Sequence, residues 1–549
     1  MLGFLCSRQL ARLSAAGVAL RTLCEDAARR RAVAMARAAE RAPLRRRRGQ
    51  NIAVGRRKRG DADGAGESWC TVLRATERLL APGTAVLTSA SLSVGGGHST
   101  TGGGHTAVLA RLSPHDAAKQ LWLFGSNSAG QCGAGAQGGG LDAYVGQHVP
   151  PVAMHVLRVP AAFGHAALGV RAVACGHDFT LVLCADGTTV LSLGGNDFGQ
   201  RGLGWPNAEG TAAMRAPPGG RLMRVALPDL EDEADRGRVE GRVVALAAGH
   251  GSAMALLSDR TTLFEWGRLA DGEHCALPRR FRPKLGGAHD GAEAIAEVCL
   301  AVSPECYAAA ALTLTGKIFT WGSARGEHIG DSRALLGRDG SVNVPRLVAL
   351  PAAAGARALS PRCIGVSLGA THGLACAADG RVYAWGGNVQ GQCGRPRGMR
   401  IRHRVLATPA LASSAAPGEG QLNACAVSAG YDFSSVSCAD FAAFAWGSNL
   451  FGEAYPRSRR VAGALEAHEP MRLLEAGRLG QVVAVAGANT HSVALVRRPG
   501  TESSGELSVY VWGYQPLEDA DRRQPYAHVA SVYAHMCHAG CRMRAMARG

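Results

Sequence analysis

An all-β domain built from repeats is predicted by two observations on this chain of 549 residues. A short apolar run ends in an aromatic–Gly or Leu–Gly step seven times, and successive glycines of these steps stand 69, 73, 55, 64, 61 and 66 residues apart. Glycine is abundant, with 73 residues, and aromatic residues make up only 5%, which suits many short strands and tight turns. The regular period indicates one repeat array in place of several unrelated domains. The seven steps are Phe124-Gly125, Leu193-Gly194, Trp266-Gly267, Trp321-Gly322, Trp385-Gly386, Trp446-Gly447 and Trp512-Gly513.

The clearest copy of the repeat, residues 364–394, reads IGVSLGATHGLACAADGRVYAWGGNVQGQCG. It predicts short strands over 364–368, 373–377 and 382–385. The Asp379-Gly380 pair predicts a tight turn between the last two, because glycine tolerates a positive φ. A turn-rich loop follows over 388–394.

The same four-part pattern recurs along the chain, at residues 102–133, 172–202, 425–453 and 482–513. Copies at 243–267 and 295–322 keep the strands and the Trp-Gly step but lose the Asn-x-x-Gly-Gln loop. The combination of G-x-x-H, D-G and W-G-x-N-x-x-G-Q-x-G resembles the regulator of chromosome condensation repeat family over about residues 90–513. That resemblance implies a seven-bladed β-propeller whose blades are four-stranded antiparallel sheets.

The propeller is expected to occupy residues 68–549. A half-copy of the first strand of a repeat lies near the end of the chain, in VASVYAHMCH, residues 529–538. Because propellers often close their ring by pairing segments from the two ends of the chain, we expect residues 526–545 to close it.

The excess positive charge is concentrated in a leader. Residues 1–60 carry 16 of the 60 basic residues and three of the 43 acidic ones, whereas the body is close to neutral. The first 24 residues form an acid-free, basic amphipathic pattern typical of a mitochondrial transit peptide, so residues 1–67 are expected to be a targeting segment and linker. Two basic runs at 45–48 and 56–59 are also typical of a nuclear import signal, which is the alternative interpretation of the leader. A solvated arm that carries no targeting signal is the third interpretation.

Catalytic, metal-binding and cofactor-binding residues are not expected in the body. The repeated histidines occupy equivalent positions, which favours a structural role; they are His98, His105, His177, His250, His372 and His491. The glycine-rich loop at 194–202 lacks the Lys-Ser/Thr of a phosphate-binding loop. The cluster His535, Cys537, His538 and Cys541 is too crowded for a standard zinc site. The 16 cysteines are scattered in apolar settings, so free thiols in a reducing compartment are expected.

Binding specificity is expected in the insertions between repeats, because long loops on a rigid scaffold usually carry it. These insertions cover residues 134–168, 205–241, 327–362 and 395–422. The stretch RPRGMRIRHR is the candidate contact for phosphate or an acidic partner, through Arg395, Arg397, Arg400, Arg402 and Arg404, although a solvated loop is the competing interpretation. No apolar run is long enough to cross a bilayer, so no membrane insertion is expected.

The resulting functional hypothesis is a non-catalytic propeller that holds protein or ribonucleoprotein partners, with RNA contact included, in mitochondria. The resemblance implies its sharpest form, attachment to a mitochondrial ribosome or another large complex. The first alternative, guanine-nucleotide exchange on a small GTPase, is also implied by the resemblance and needs no catalytic triad. The second alternative is a nuclear propeller that binds chromatin through the basic arm.

Overall fold

The computed structural model describes the repeat region with gaps in the connecting loops, and two short strands beyond it. The described residues are 91–95, 104–110, 120–133, 148–149, 155–157, 159, 162, 169–204, 220–228, 241–270, 272–285, 293–303, 307–322, 342–351, 361–394, 406–407, 422–450, 452–454, 466–472, 481–497, 507–513, 533–535 and 544–546. Every regular element of two or more residues in them is a β-strand. Among them there is no helix of the length and apolar character that spanning a membrane requires.

Seven antiparallel sheets follow one another along the chain and form the seven blades of a β-propeller. In each blade the strands pair in chain order, from the inner strand to the outer one. The outer strand of blade 1 consists of two pieces that both pair with its third strand, and blade 7 has three described strands. The predicted fold class is therefore confirmed.

The strands of blades 1 to 4 have the following bounds. Blade 1 contains β1 Ser91–Val94, β2 His105–Ala110, β3 Gln120–Ser126, β4 His148–Val149 and β5 His155–Leu157. Blade 2 contains β6 Val170–Cys175, β7 Phe179–Cys184, β8 Val190–Gly194 and β9 Met223–Arg224. Blade 3 contains β10 Val243–Ala248, β11 Ser252–Leu257, β12 Leu263–Arg268 and β13 His274–Phe281. Blade 4 contains β14 Ile295–Leu300, β15 Ala308–Thr313, β16 Ile318–Gly322 and β17 Val342–Leu347.

The remaining strands have these bounds. Blade 5 contains β18 Cys363–Leu368, β19 His372–Ala377, β20 Val382–Gly386 and β21 Leu406–Ala407. Blade 6 contains β22 Ala424–Ala429, β23 Phe433–Cys438, β24 Ala443–Ser448 and β25 Glu466–Arg472. Blade 7 contains β26 Gln481–Gly487, β27 His491–Arg497 and β28 Leu507–Gly513. Beyond the blades lie β29 Tyr533–His535 and β30 Arg544–Met546.

The hydrophobic core lies between blades. Five apolar clusters each join two successive blades, from the blade 2–3 junction to the blade 6–7 junction. A sixth cluster joins blades 7, 1 and 2, for example through Val493, Leu123 and Val182, and so closes the ring. Each blade therefore completes the core of its neighbours, which is why the fold needs a full circle of repeats.

The aromatic–Gly or Leu–Gly steps lie at the end of the third strand of every blade. The aromatic residue fills a junction, and five of these tryptophans are almost completely buried. The glycine then turns the chain with a positive φ, for example 104° at Gly194 and 133° at Gly322. A Cβ atom at Gly194 would lie 2.3 Å from the carbonyl oxygen of Asp178. A larger residue would therefore collide with the backbone and would also have to adopt an unfavourable positive φ. This structural role of the motif is the predicted one.

Backbone hydrogen bonds join successive blades on the face that carries the turns between second and third strands. The first or second residue of an inner strand donates its N–H to the carbonyl at the turn tip of the preceding blade, over 2.7–3.1 Å. The donor–acceptor pairs are Val243–Gly187, Ile295–Arg260, Cys363–Gly316, Ala424–Gly380 and Val482–Phe441. Each tip residue has a positive φ, which aims its carbonyl at the neighbour. The predicted turn at Asp379-Gly380 is one of these.

The C-terminal segment that the sequence assigns to ring closure is described at two places only. β29 and β30 pair with each other antiparallel, and β29 lies against β28. The other residues of 526–545 lie outside the described part, so closure by this segment stays a prediction. The insertions at 134–168, 205–241, 327–362 and 395–422 are likewise described in short pieces only, and residues 1–67 are outside the described part.

Candidate interaction surfaces of the propeller

The loop after the third strand, called here the Asn-Gln loop, is held by its own side chains. In blade 5, Asn388 Oδ1 accepts the N–H of Cys393 over 3.0 Å, and Gln392 Oε1 accepts the N–H of Gln390 over 2.9 Å. The glycine-rich loop at 194–202 in blade 2 is built in the same way. These amide N–H groups point at the loop's own carbonyl groups, so they do not form a phosphate cradle. The structural interpretation of this loop from the sequence agrees with the geometry.

Side chains of the next blade donate hydrogen bonds to a backbone carbonyl group of this loop. The carbonyl oxygen of Gln392 accepts a hydrogen bond from Ser434 Oγ over 2.7 Å and a second one from Trp446 Nε1 over 2.9 Å. His372 Nε2 of blade 5 lies 3.0 Å from the same Ser434 Oγ. Because the Ser434 hydroxyl donates to the carbonyl, it accepts from the Nε2–H of His372. We call this arrangement the clasp.

The clasp recurs, in whole or in part, at other junctions. Thr180 and Ser492 donate to the carbonyl oxygens of Gln131 and Glu453 over 2.8 and 2.7 Å. The tryptophan contribution recurs as Trp266 Nε1 to Gln200 and Trp512 Nε1 to Glu453, over 2.8 and 3.1 Å. The histidine contribution recurs as His105 to Thr180 and His491 to Thr106, over 2.8 and 2.9 Å. The last of these joins blade 7 to blade 1.

Burial sets the charge state of these groups. Desolvation, with smaller contributions from His491 and His177, lowers the pKa of His105 to about 3, so its imidazole is neutral and serves as a hydrogen-bond partner. Burial also raises the pKa of Asp178 to about 6 and that of Asp432 to about 6. The Gln200 amide donates to Asp178 Oδ1 over 3.2 Å, which partly offsets the shift there.

Two further histidines lie on the face that carries the Asn-Gln loops. His177 and His250 stack with ring centroids 4.3 Å apart, and Phe198 packs beside His250 and against His274. Across the described stretches there is no group of three or more His, Cys, Asp or Glu side chains that could hold a metal ion. His98, Cys537, His538 and Cys541 are outside those stretches, and nothing is described of the His535 side chain.

Blade 3 departs from the pattern, as its sequence indicates. Its third strand is followed by a short turn in which Leu269 is buried, so blade 4 meets no Asn-Gln loop there. In consequence the buried Trp321 Nε1 of blade 4 has no hydrogen-bond partner within the described residues. The Trp321 ring instead contacts Phe281 of β13, with centroids 6.1 Å apart. The junction of blades 3 and 4 therefore lacks the tryptophan part of the clasp.

The candidate contacts Arg395, Arg397, Arg400, Arg402 and Arg404 all lie outside the described residues, so their role stays a prediction. The structure shows a second basic segment that the sequence reasoning missed. Residues 279–284, at and after the end of β13, carry four exposed cationic side chains and no acid. They are Arg279, Arg280, Arg282 and Lys284. The signal, RRFRPK, was present in the sequence, but only the structure shows that it lies on an outer strand.

Two of these cations bond to side chains of their own blade. Arg279 bonds to the buried carboxylate of Glu265 over 2.9 Å. Arg282 Nε donates to Thr262 Oγ1 over 3.0 Å. Since the Arg279 side chain is more than one-third exposed, its ion pair contributes little to stability.

The fold and the clasp define the class: a seven-bladed β-propeller whose recurring polar residues join its blades. Models of the regulator of chromosome condensation (RCC1) repeat match residues 363–392 and 379–437. Residues 363–437 therefore carry repeats of this family.

Similar proteins and solved structures agree with this repeat match. The bovine secretion-regulating guanine nucleotide exchange factor is 29% identical over 305 residues, which cover 54% of this chain and 53% of that protein. The chain thus spans about half the length of this curated relative. Among solved structures, human WBSCR16 superposes with a TM-score of 0.51 at 21% identity, covering 75% of this chain and 87% of that one. Prp20p from Saccharomyces cerevisiae, whose structure was described with its binding to Gsp1p and histones, gives 0.50 at 19% identity, covering 72% and 80%. These two likenesses support the fold.

Proposed function

We propose that this propeller is a non-catalytic interaction module that holds protein or ribonucleoprotein partners of a larger complex, in mitochondria. The observation that carries the proposal is the clasp. The recurring histidine, tryptophan, hydroxyl and glutamine positions, which would be the first candidates for chemistry, hold one blade to the next. The variable surface is then available for recognition, as is usual for repeat scaffolds.

The mitochondrial part of the proposal depends on the leader. An acid-free, arginine-bearing start supports import. A fusion of residues 1–67 to a fluorescent protein tests this address, with Arg8, Arg12 and Arg21 replaced by Glu as the matched control. We expect mitochondrial fluorescence that the control loses. Nuclear fluorescence would favour the chromatin-binding alternative, and diffuse fluorescence would contradict any address in this segment.

The complex itself is tested by sedimentation of the tagged full chain from mitochondrial extract, with and without ribonuclease. We expect migration in a particle much larger than the 56.9 kDa chain. Loss of that migration after ribonuclease would identify a ribonucleoprotein, and persistence would identify a protein complex. Migration as a free monomer under both conditions would contradict the proposal.

The second candidate function is guanine-nucleotide exchange on a small GTPase. It is favoured by the similarity to the bovine protein, which carries that activity in its name. Release of a fluorescent guanosine diphosphate analogue from a panel of purified small GTPases tests it. Acceleration of release by a stoichiometric amount of the chain would establish exchange. Unchanged release across the panel would exclude exchange on these GTPases and leave partner binding as the remaining function.

A further inference from the structure

Two exposed arginine side chains flank one turn at the junction of blades 2 and 3, on the face that carries the turns between second and third strands. A Cβ atom built on Gly187 would stand 3.1 Å from Arg171 Nη1 and 3.7 and 3.8 Å from the Cβ and Cδ atoms of Arg242. Both arginines are exposed to solvent. We call Arg171 and Arg242 the arginine pair.

Arg171 departs from the pattern of the inner strands. In blades 2 to 7 the pairing of the first two strands skips one residue near the start of the inner strand, which is a β-bulge. Blade 2 has Arg171 at this position. The other five blades have an apolar residue or a cysteine there, namely Val244, Ala296, Ile364, Cys425 and Val483. Since a bulge commonly re-aims the side chain that it carries, the charge at Arg171 is a feature of blade 2 and not of the repeat.

Arginines at other junctions of the same face have structural partners. Arg260 Nη1 donates to the carbonyl oxygen of Ile295 over 3.2 Å, and Arg362 Nη2 donates to that of Leu314 over 3.3 Å. Each of these bonds joins one blade to its neighbour. In the described part of the chain, the guanidinium groups of the arginine pair take part in no hydrogen bond or ion pair. The pair therefore does not hold the junction together.

The acid of the same turn is occupied by the turn itself. Asp186 Oδ1 accepts the N–H groups of Thr188 and Thr189 over 3.0 Å, and its Oδ2 accepts the Thr189 hydroxyl over 2.6 Å. Desolvation would raise the pKa of Asp186, but these hydrogen bonds outweigh it and lower the pKa. The carboxylate is thus ionised and held within its turn. Two neighbouring guanidinium groups without a bonded acid repel each other, and an anion bound between them would relieve that repulsion.

A phosphate monoester suits two guanidinium groups better than a single carboxylate does. It carries about −1.5 to −2 charges at pH 7 and three strong acceptor oxygens. One arginine alone can occupy both oxygens of a carboxylate with its paired N–H groups, which would leave the second arginine without an acceptor. Clustered arginines are a recurring means by which proteins recognise phosphorylated segments.

A nucleic acid fits this site less well. Its binding surface neutralises several successive phosphates with a stripe of cations. The described cations at the turns of blades 3, 4 and 5 do not extend the pair into such a stripe, because each is engaged. Arg260 bonds to a carbonyl group of blade 4, Lys317 pairs with Glu293 and Arg381 pairs with Asp379.

We infer that the arginine pair binds a phosphate monoester carried on a side chain of a partner protein. This inference rests on the proposed function, since it names a docking point and the partner class of the interaction module. The two planar guanidinium groups bind the phosphate oxygens through charge-assisted hydrogen bonds. Their exposure lets a phosphorylated segment reach them without a change in the blades.

The test measures binding of the full chain to a short fluorescein-labelled peptide with a single phosphothreonine, by fluorescence anisotropy. Two further peptides carry Thr or Asp at that position. The phosphopeptide is expected to bind at least about tenfold more tightly than either of them, because hydrogen bonds to charged groups are strong. In Arg171→Gln/Arg242→Gln this preference should disappear.

The matched control is Arg221→Gln/Arg346→Gln, which removes two exposed arginines at the outer strands of blades 2 and 4. It should change the affinity for the phosphopeptide less than about twofold. Both double variants should unfold at the denaturant concentration of the wild-type chain, which shows that a loss of binding is not a loss of folding.

Three outcomes would overturn the inference. The first is that the phosphopeptide binds the wild-type chain no more tightly than the Thr peptide does, or binds both double variants equally. The second is that inorganic phosphate displaces the phosphopeptide with the same affinity as the unlabelled phosphopeptide, which would show a site for free phosphate. The third is that single-stranded RNA binds through the arginine pair while the phosphopeptide does not.

The sedimentation experiment separates this inference from the proposed function. If the arginine pair docks a phosphorylated partner, Arg171→Gln/Arg242→Gln should migrate in a smaller particle than the wild-type chain, and phosphatase treatment of the extract should have the same effect. If the wild-type chain stays in a large particle and neither change alters it, the inference fails but the module function stands. If the wild-type chain is monomeric, the module function fails, whereas the peptide measurements still decide whether the pair binds phosphate.

Discussion

The clasp between blades 5 and 6 gives a prediction with a defined magnitude. In Ser434→Ala, the carbonyl oxygen of Gln392 loses one of its two donors, and the buried Nε2–H of His372 loses its acceptor. A typical hydrogen bond contributes about 1 kcal/mol net, and a buried donor left unsatisfied costs about 1–3 kcal/mol. The free energy of unfolding is therefore expected to fall by about 2–4 kcal/mol.

The neighbouring residue provides the control. Ser435 is also buried, but the hydrogen bond from its Oγ to the carbonyl oxygen of Ser428 is long, at 3.4 Å. Ser435→Ala removes the same atom one position along β23, with an expected cost below about 1 kcal/mol. Denaturant unfolding with matched slopes gives both values, and hydrogen exchange in residues 388–394 shows whether the loop loosens. Equal destabilisation by the two substitutions would refute the clasp as a source of stability.

The remaining predictions use other particular sites. Trp321→Phe should cost about 1 kcal/mol less than Trp446→Phe, because only the second substitution removes an indole hydrogen bond; equal costs in denaturant unfolding would contradict this. Gly194→Ala should destabilise by several kcal/mol more than Gly272→Ala, since both have positive φ but a Cβ atom meets backbone only at the first; thermal unfolding of the two variants checks the difference. Asp432→Asn should stabilise the fold by at most about 3 kcal/mol at pH 7.5, because burial that raises the pKa of Asp432 from 3.8 to about 6 opposes its ionisation. The folded state binds the extra proton between these two values, so the gain should shrink as the pH falls through 6 and vanish below about 4; a gain independent of pH would exclude this cause.

The sequence was sufficient for the blades because their signals are local. An aromatic residue before a glycine, an Asp-Gly turn and a strand-length apolar run are all read within about 30 residues. The strands predicted in the copy at 364–394 agree with β18 to β20 to within one residue at every end. The loss of the Asn-x-x-Gly-Gln motif in blade 3 can also be read from the local sequence. The resulting loss of a hydrogen bond to Trp321 Nε1, in the next blade, cannot.

The clasp could not be derived in that way. His372 and Ser434 are 62 residues apart, and Thr106 and His491 are 385 apart. Their pairing depends on the ring placing the second strands of successive blades side by side. The sequence correctly gave these histidines a structural role from their repetition, without identifying their partners. The basic segment of residues 279–284 was missed for a related reason, because the sequence alone does not show which side chains of an outer strand are exposed.

The seven blades form a closed ring held by polar bonds between blades. The pair Thr106–His491 is the sharpest test of ring closure, because these residues, from blades 1 and 7, meet only if the ring is closed. A double-mutant cycle with Thr106→Val and His491→Phe should give a coupling energy of about 1 kcal/mol, while Thr106→Val combined with His372→Phe should be additive within about 0.5 kcal/mol. A coupling of zero between Thr106 and His491 would contradict the closed ring.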